Sequence, residues 1–345
     1  MAVRVLIVDD SKIARRYIRR ELEAHPDLEV VGEAEDSYRA REKIVELNPD
    51  VLTLDLEMPG VNGLDFLRAV MSHRPMPVVV VSSIAPESGR VALEALARGA
   101  VDVVFKSGGS GGRALVDLAQ TVLRASRANL AALKHPASRS SGRKTRRLAR
   151  CEIIGIGSST GGPVALDRLF GALPKTLPPI VIVQHLPVGF SALMAARLST
   201  RGAVEVREVR DGEPLAPGSA YLAPGDTHLL VRRQGAQLVA RLKKGPKVHY
   251  QIPAVDVLFA SIARAVGGAS VGVVLTGMGA DGADGLLAMR KAGAVTIAQD
   301  RDTSVVYGMP RAAFQKGGVE HVRPLDQVAA TIVGSVSSER RVVGR

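Results

Sequence analysis

Nearly unbroken apolar runs of a few residues, each followed by a stretch with helical spacing, constrain this 345-residue chain more than any other feature. Near the start, Val3–Val8 leads into Ile13, Tyr17 and Leu22, and Leu28–Val31 into Ala40, Ile44 and Leu47. Val51–Leu54, Pro77–Val81 and Val101–Phe105 bring the series to five. A strand without polar alternation must be covered on both faces. Helices between successive strands provide that cover, so the pattern predicts a parallel α/β sheet. The alternation resumes at Ile153-Ile154, Pro179–His185 and Val271–Leu275, with helix patterns at Leu166, Leu169 and Phe170 and at Leu286, Leu287 and Met289. Between these, Ala220-Tyr-Leu, His228-Leu-Leu-Val and Gln237-Leu-Val-Ala read as an antiparallel excursion. In doubly wound sheets function gathers beyond the carboxyl ends of the strands, which makes the residue ending each run the informative one.

The two series are separated by residues 124–150, which hold Arg124, Arg127, Lys134, Arg139, Arg143, Lys144, Arg146, Arg147 and Arg150 and no acid. Those nine cations account for most of the net charge of +12. The polar, aperiodic stretch Pro136–Arg147 has the composition of a linker. The expected organisation is a domain over 1–123, a basic flexible linker over 124–150, a second domain over 151–335 and a tail over 336–345. The basic segment reads either as a solvated tether or as a dock for an acidic partner, with nucleic acid a lesser option. Aromatic residues make up only 3% and Trp is missing, which argues against stacking platforms for single-stranded nucleic acid. No apolar run reaches membrane-spanning length, and aspartates at 9 and 10 arrive too early for a signal peptide. A single cysteine, Cys151, excludes an intrachain disulfide framework and fits a reducing cytoplasm.

In the first series, the runs end in Asp9-Asp10, Asp55, Ser82-Ser83 and Lys106. Three carboxylates at one sheet edge repel one another unless a hard cation such as Mg²⁺ lies among them. A carboxylate beside such an ion can accept a phosphoryl group, and a lysine and a hydroxyl can grip its oxygens. Val-Asp-Asp (8–10), Leu-Asp-Leu-Glu-Met-Pro-Gly-Val-Asn-Gly (54–63) and Phe-Lys (105–106) resemble the receiver domain of two-component response regulators. The resemblance implies that Asp55 is the phosphoacceptor, that Asp9 and Asp10 hold Mg²⁺ with it, that Ser82 is the switch hydroxyl and that Lys106 contacts the phosphate. One departure is Ser107, where the family usually has proline.

In the second series, Gly155–Pro163 joins a strand to a helix through glycines and hydroxyls. A dinucleotide fingerprint fails there because Thr160 takes the place of the third glycine. A P-loop fails because Pro163 takes the place of the lysine. The nucleophile pattern Gly-x-Ser-x-Gly fits at Gly157–Gly161 and centres on Ser159. A serine needs a histidine base and a carboxylate to orient it. His185 ends the next strand, and Asp281 and Asp284 follow Val271–Leu275. Asp281 lies nearer the strand exit, whereas Asp284 suits a helix cap. His228, His249 and His321 read as packed or surface histidines, with His321 in a loop-rich tail.

Ile-Gly-Ser-Ser-Thr-Gly-Gly-Pro (156–163), Val-Gln-His-Leu-Pro (183–187), Leu-Ala-Pro-Gly-Asp-Thr-His (222–228) and Leu-Thr-Gly-Met-Gly-Ala-Asp-Gly (275–282) resemble the chemotaxis protein-glutamate methylesterases, the CheB family. The resemblance implies a flavodoxin-like (βα)5 receiver domain plus a larger doubly wound, mostly parallel α/β methylesterase domain with an antiparallel hairpin. It assigns Ser159 as nucleophile, His185 as base, Asp281 as orienting acid, and the backbone near Thr160 and Met278 as oxyanion donors. The implied reaction hydrolyses γ-glutamyl methyl esters of chemoreceptors, and in some members deamidates glutamines, with no cofactor in the catalytic domain. Implied partners are methylated chemoreceptors and a histidine kinase as phosphodonor, and the implied location is the cytoplasm. An unphosphorylated receiver covering the Ser159 face is the expected mode of regulation. A DNA-binding regulator, a stand-alone protease or general esterase that merely carries a receiver, and a phosphorylation-dependent binding protein are the alternatives.

Overall fold

The computed structural model describes residues 2–58, 62–83, 86–106, 118–134 and 146–336. Pro59–Val61 of the acidic motif, Ser107, residues 135–145 of the basic segment and residues 337–345 of the tail lie outside the described residues. The chain separates into two units, Met1–Lys134 and His135–Arg345. Of the segment 124–150 expected as a linker, Leu130–Lys134 is helical and belongs to the first unit. Arg146 pairs with Glu320 of the second unit at 3.0 Å, and the Leu148 N–H donates to the Ser335 carbonyl.

The first unit holds a five-stranded parallel sheet made of β1 (Val3–Val8), β2 (Leu28–Ala34), β3 (Val51–Leu54), β4 (Val78–Ser83) and β5 (Asp102–Lys106). Their order is β2-β1-β3-β4-β5, so the strand order reverses between β1 and β3. Val5–Ile7, Val51, Leu52 and Val78–Val80 have no exposed surface, as strands covered on both faces require.

The second unit contains β6 (Ile153–Ser158), β7 (Ile180–Gln184), β8 (Glu205–Glu208), β9 (Ser219–Leu222), β10 (His228–Gln234), β11 (Gln237–Lys243), β12 (Ser270–Val274), β13 (Val295–Gln299) and β14 (His321–Arg323). Seven of these form a parallel sheet in the order β14-β13-β12-β6-β7-β9-β8, while β10 and β11 form a separate antiparallel pair. The chain winds outward from β6 through β7 and then returns on the other side from β12, which opens a crevice between the ends of β6 and β12.

Two expectations need correction. Ala220-Tyr-Leu does not belong to the antiparallel excursion, because β9 pairs in parallel with β7 and β8. The connection from β8 to β9 lacks the usual crossover helix and instead borrows the edge of β11: Gly212 and Leu215 donate to the carbonyls of Ala240 and Leu238, and Ala240 donates back to Glu213. Tyr221, fully buried, accepts at its hydroxyl from the Ala216 N–H at 2.8 Å and carries the Arg207 guanidinium over its ring. His321 does not lie in a loop-rich tail; it opens β14, which is followed by the helix Leu325–Val336. The polar, three-residue β14 is too short to announce itself by period.

Candidate active site and phosphoacceptor pocket

Ser159 leaves β6 at a turn held on two sides. Its N–H donates to the Thr276 carbonyl beyond β12 at 3.0 Å, and its carbonyl accepts from the Gln184 side chain at 2.9 Å. The turn demands Gly161, whose φ of +77° opens the helix Gly162–Phe170 in the left-handed region that side chains rarely adopt. Gly277 is required for space, since a Cβ there would stand 2.8 Å from the Cβ of Ser159 and 2.3 Å from Met309 Sδ. The neighbouring hydroxyls separate cleanly. Ser158 is fully buried and donates to Gln184 Oε1 at 2.6 Å, so its proton is committed to structure, while Ser159 is partly exposed.

His185 stands one residue past β7, as Ser159 stands one residue past β6. Ser158 and Gln184 are register partners, and the His185 N–H donates to the Ser158 carbonyl at 3.1 Å. The His185 ring reaches Asp281 through Nε2, 2.8 Å from Oδ2, with side chains only 7% and 2% exposed. Because a carboxylate only accepts, Nε2 carries the proton and Nδ1 keeps a lone pair. Nδ1 is buried and has no hydrogen-bond partner among the described residues, an expensive state unless a donor arrives in the working complex. Ser159 Oγ and His185 are therefore brought to neighbouring strand ends without a hydrogen bond between them.

Asp281 is held in turn by the helix Val255–Val266. Ala254 gives that helix no side-chain cap, and Asp281 supplies one from another element. Its Oδ2 accepts from Val255 N–H at 2.8 Å and its Oδ1 from Asp256 N–H at 2.9 Å. Burial alone would raise this carboxyl, but the His185 hydrogen bond and charge and the two backbone donors hold it below its ordinary value. Met278, 38% exposed, lies on the same loop, and its N–H has no acceptor among the described residues. Thr160 is buried, and its carbonyl accepts from Thr276 Oγ1 at 2.9 Å. Asp284 is exposed and pairs with Lys316, away from this network.

Several residues here escaped the sequence reading: Gln184, Thr276, Gln299 and Asp256. Gln299 at the end of β13 is fully buried and accepts from the Thr276 N–H at 2.8 Å, completing a brace across three strand ends. The signal was position, since Gln184 and Gln299 also end apolar runs, but neutral amides draw less notice than charges. Asp256 sits inside a helical pattern and gives no such signal.

At the crevice of the first unit, Asp9 and Asp55 are buried and Asp10 is exposed, and ligand oxygens of the three lie within 4.8 Å of one another. Lys106 Nζ lies 2.7 Å from Asp9 and 2.5 Å from Asp55. Burial pushes the Asp9 carboxyl up, with Asp55 adding to the rise and Lys106 opposing it. Burial would lower Lys106, but its two acidic partners outweigh this and raise it. The all-oxygen donor set and its crowded negative charge fit a divalent cation such as Mg²⁺. Ser82 Oγ, at the end of β4, is buried without a partner among the described residues, and the next residue, Ser83, pairs in register with Lys106.

Among the described residues, no helix is long and apolar enough to cross a membrane. Residues 154–332 match the family model of CheB methylesterase, and residues 5–112 match that of the response regulator receiver domain. A protein of Anaeromyxobacter dehalogenans named protein-glutamate methylesterase/protein-glutamine glutaminase 4 is 48% identical over 96% of this chain and 94% of its own length. A Salmonella typhimurium protein named protein-glutamate methylesterase/protein-glutamine glutaminase is 44% identical over 99% of both chains. The crystal structure of the Thermotoga maritima CheB methylesterase catalytic domain aligns with a TM-score of 0.52 at 38% identity, over 54% of this chain and 98% of that one. The chain therefore belongs to the CheB methylesterase family and carries a response regulator receiver domain ahead of its esterase domain.

Proposed function

We propose that this chain is a cytoplasmic, phosphorylation-activated hydrolase that removes methyl groups from γ-glutamyl methyl esters of chemoreceptors and deamidates receptor glutamines by the same chemistry. Residues 1–123 act as its receiver and residues 151–335 as its catalytic domain. The observation that carries the reading is the buried pair His185–Asp281 at 2.8 Å, with the unpartnered Nδ1 one strand away from Ser159.

Ser159 Oγ attacks the ester carbonyl while His185 Nδ1 takes its proton, and Asp281 stabilises the imidazolium that forms. Backbone N–H groups at Thr160 and Met278 receive the negative charge on the carbonyl oxygen. The tetrahedral intermediate collapses, His185 gives its proton to the departing methoxide, and methanol leaves. Water, deprotonated by His185, then cleaves the acyl-serine and releases a glutamate carboxylate. This cycle draws on no cofactor.

In the receiver, Asp9, Asp10 and Asp55 would hold Mg²⁺, whose charge offsets the crowded acids. Asp55 accepts the phosphoryl group from a histidine kinase, and Ser82 and Lys106 contact its oxygens. Methanol release from methylated receptors tests the reading. Ser159→Ala should lower kcat by about 10⁶-fold, and near-normal release by that variant would refute it.

A further inference from the structure

A second cationic stretch lies beside the catalytic pair. Between Asp226 and Asp256 the chain carries Arg232, Arg233, Arg241, Lys243, Lys244 and Lys247 and no acid. Arg233 pairs with Glu152 and Arg241 with Asp211. Lys243, Lys244 and Lys247 are exposed and have no ion-pair partner among the described residues. Lys243 ends β11, and Lys244 and Lys247 follow it on the segment that leads to the helix start holding Asp281.

That segment is braced rather than loose. The Ala254 N–H donates to His228 Nδ1 at 3.2 Å, so His228 Nε2 carries a proton and donates to the Pro246 carbonyl at 3.0 Å. Val248 and Gln251 exchange two backbone hydrogen bonds at 3.0 and 2.9 Å. His249 Nε2 lies 2.9 Å from Asp256 Oδ2, and ligand atoms of His249, Asp256 and Asp281 fall within 4.8 Å of one another. His249 and Tyr250 are consecutive non-glycine residues with φ of +50° and +63°. Such backbone persists only where its surroundings over-determine it, and it clusters at binding and catalytic sites. Its effect here is to hold the Tyr250 ring outward, 90% exposed, in a chain with only 3% aromatic residues.

We propose that Lys244, Lys247 and Tyr250 form a recognition strip for a glutamate-rich segment of the protein substrate. This rests on the function proposed above, whose products are glutamate carboxylates. Unmethylated glutamates beside the scissile ester give such a segment negative charge, which exposed lysines attract and orient. A tyrosine side chain, with only two rotatable bonds to fix, supplies contact area at little entropic cost, as at other protein interfaces. The brace through His249 and Asp256 ties the strip to the carboxylate that orients His185, so a segment seated on the strip stays in register with the serine.

The test is steady-state methanol release from methylated receptor by the full chain, at low and high salt. Lys244→Gln/Lys247→Gln should raise KM about tenfold at low salt with kcat little changed, and should flatten the salt dependence of the native chain. Tyr250→Gly, which relieves the left-handed backbone, should also raise KM. Lys291→Gln removes an exposed cation at the far end of the helix Ala283–Lys291 and serves as the charge control. Strip variants whose KM and salt dependence match those of the control overturn the strip alone. Absence of methanol release by the native chain overturns the esterase reading on which the strip depends.

Discussion

Asp281 combines two demands in one carboxylate. It closes the N-terminus of the helix Val255–Val266 with two backbone hydrogen bonds, and it fixes the proton of His185 on Nε2. Asp281→Asn keeps the shape but places an amide NH₂ where the carboxylate met only donors. The wrong histidine tautomer follows, and kcat should fall by about 10⁴-fold in methanol release. The same residue predicts a pH effect on stability. Its folded carboxyl lies below the ordinary value, so its contribution is complete above the unfolded value of about 3.9 and is lost as pH falls through the lower folded value. Urea unfolding at pH 7 and pH 3 should show the gap between native chain and Asp281→Asn narrowing on acidification. A gap that stays constant or widens contradicts a depressed carboxyl. The candidate set at this scale was legible because Ser159, His185 and Asp281 each follow the end of an apolar run. Asp256 was not, because its link to Asp281 spans 25 residues and runs through a backbone N–H, which carries no side-chain identity.

At the scale of elements, β6 is positioned by how closely the helix Val255–Val266 approaches it. A Cβ on Gly157 would stand 2.2 Å from Val255 Cγ1, so only glycine admits the contact. Val255 N–H is also a donor to Asp281, which makes strand–helix packing and site geometry one constraint. Gly157→Ala should therefore cost about 1–3 kcal/mol of stability by overpacking and lower kcat with it. Val255→Ala in that background should restore part of both, and a double-mutant cycle read by chemical unfolding and methanol release measures the coupling. Simple additivity would count against the shared contact. The alternation of strands and helices could be read from the sequence because β6, β7, β12 and β13 are buried throughout. The placement of β9 could not, because its parallel pairing depends on a connection that bonds to β11 instead of forming a helix, a non-local choice with no periodic trace.

At the scale of the whole molecule, each unit has its own sheet, its own core and its own crevice at the carboxyl edge of the strands. The residues proposed for the phosphoacceptor pocket, Asp9, Asp10, Asp55, Ser82 and Lys106, all precede residue 134, and the proposed catalytic residues Ser159, His185 and Asp281 all follow it. On the function proposed above, phosphorylation of Asp55 acts on Ser159 by shifting a balance between states of the chain. The second unit should accordingly be a functioning enzyme alone, and a solved catalytic domain of the family, covering 54% of this chain, stands as a separate structure. A fragment over 135–345 should release methanol faster than the unphosphorylated full chain. Adding a small phosphodonor with Mg²⁺ should raise the full chain toward the fragment's rate and leave the fragment itself unchanged. Asp55→Asn in the full chain should stay at the basal rate under the same treatment. A folded fragment no faster than the full chain would show that the receiver does not restrain the esterase, and would leave activation to a gain that phosphorylation supplies on its own.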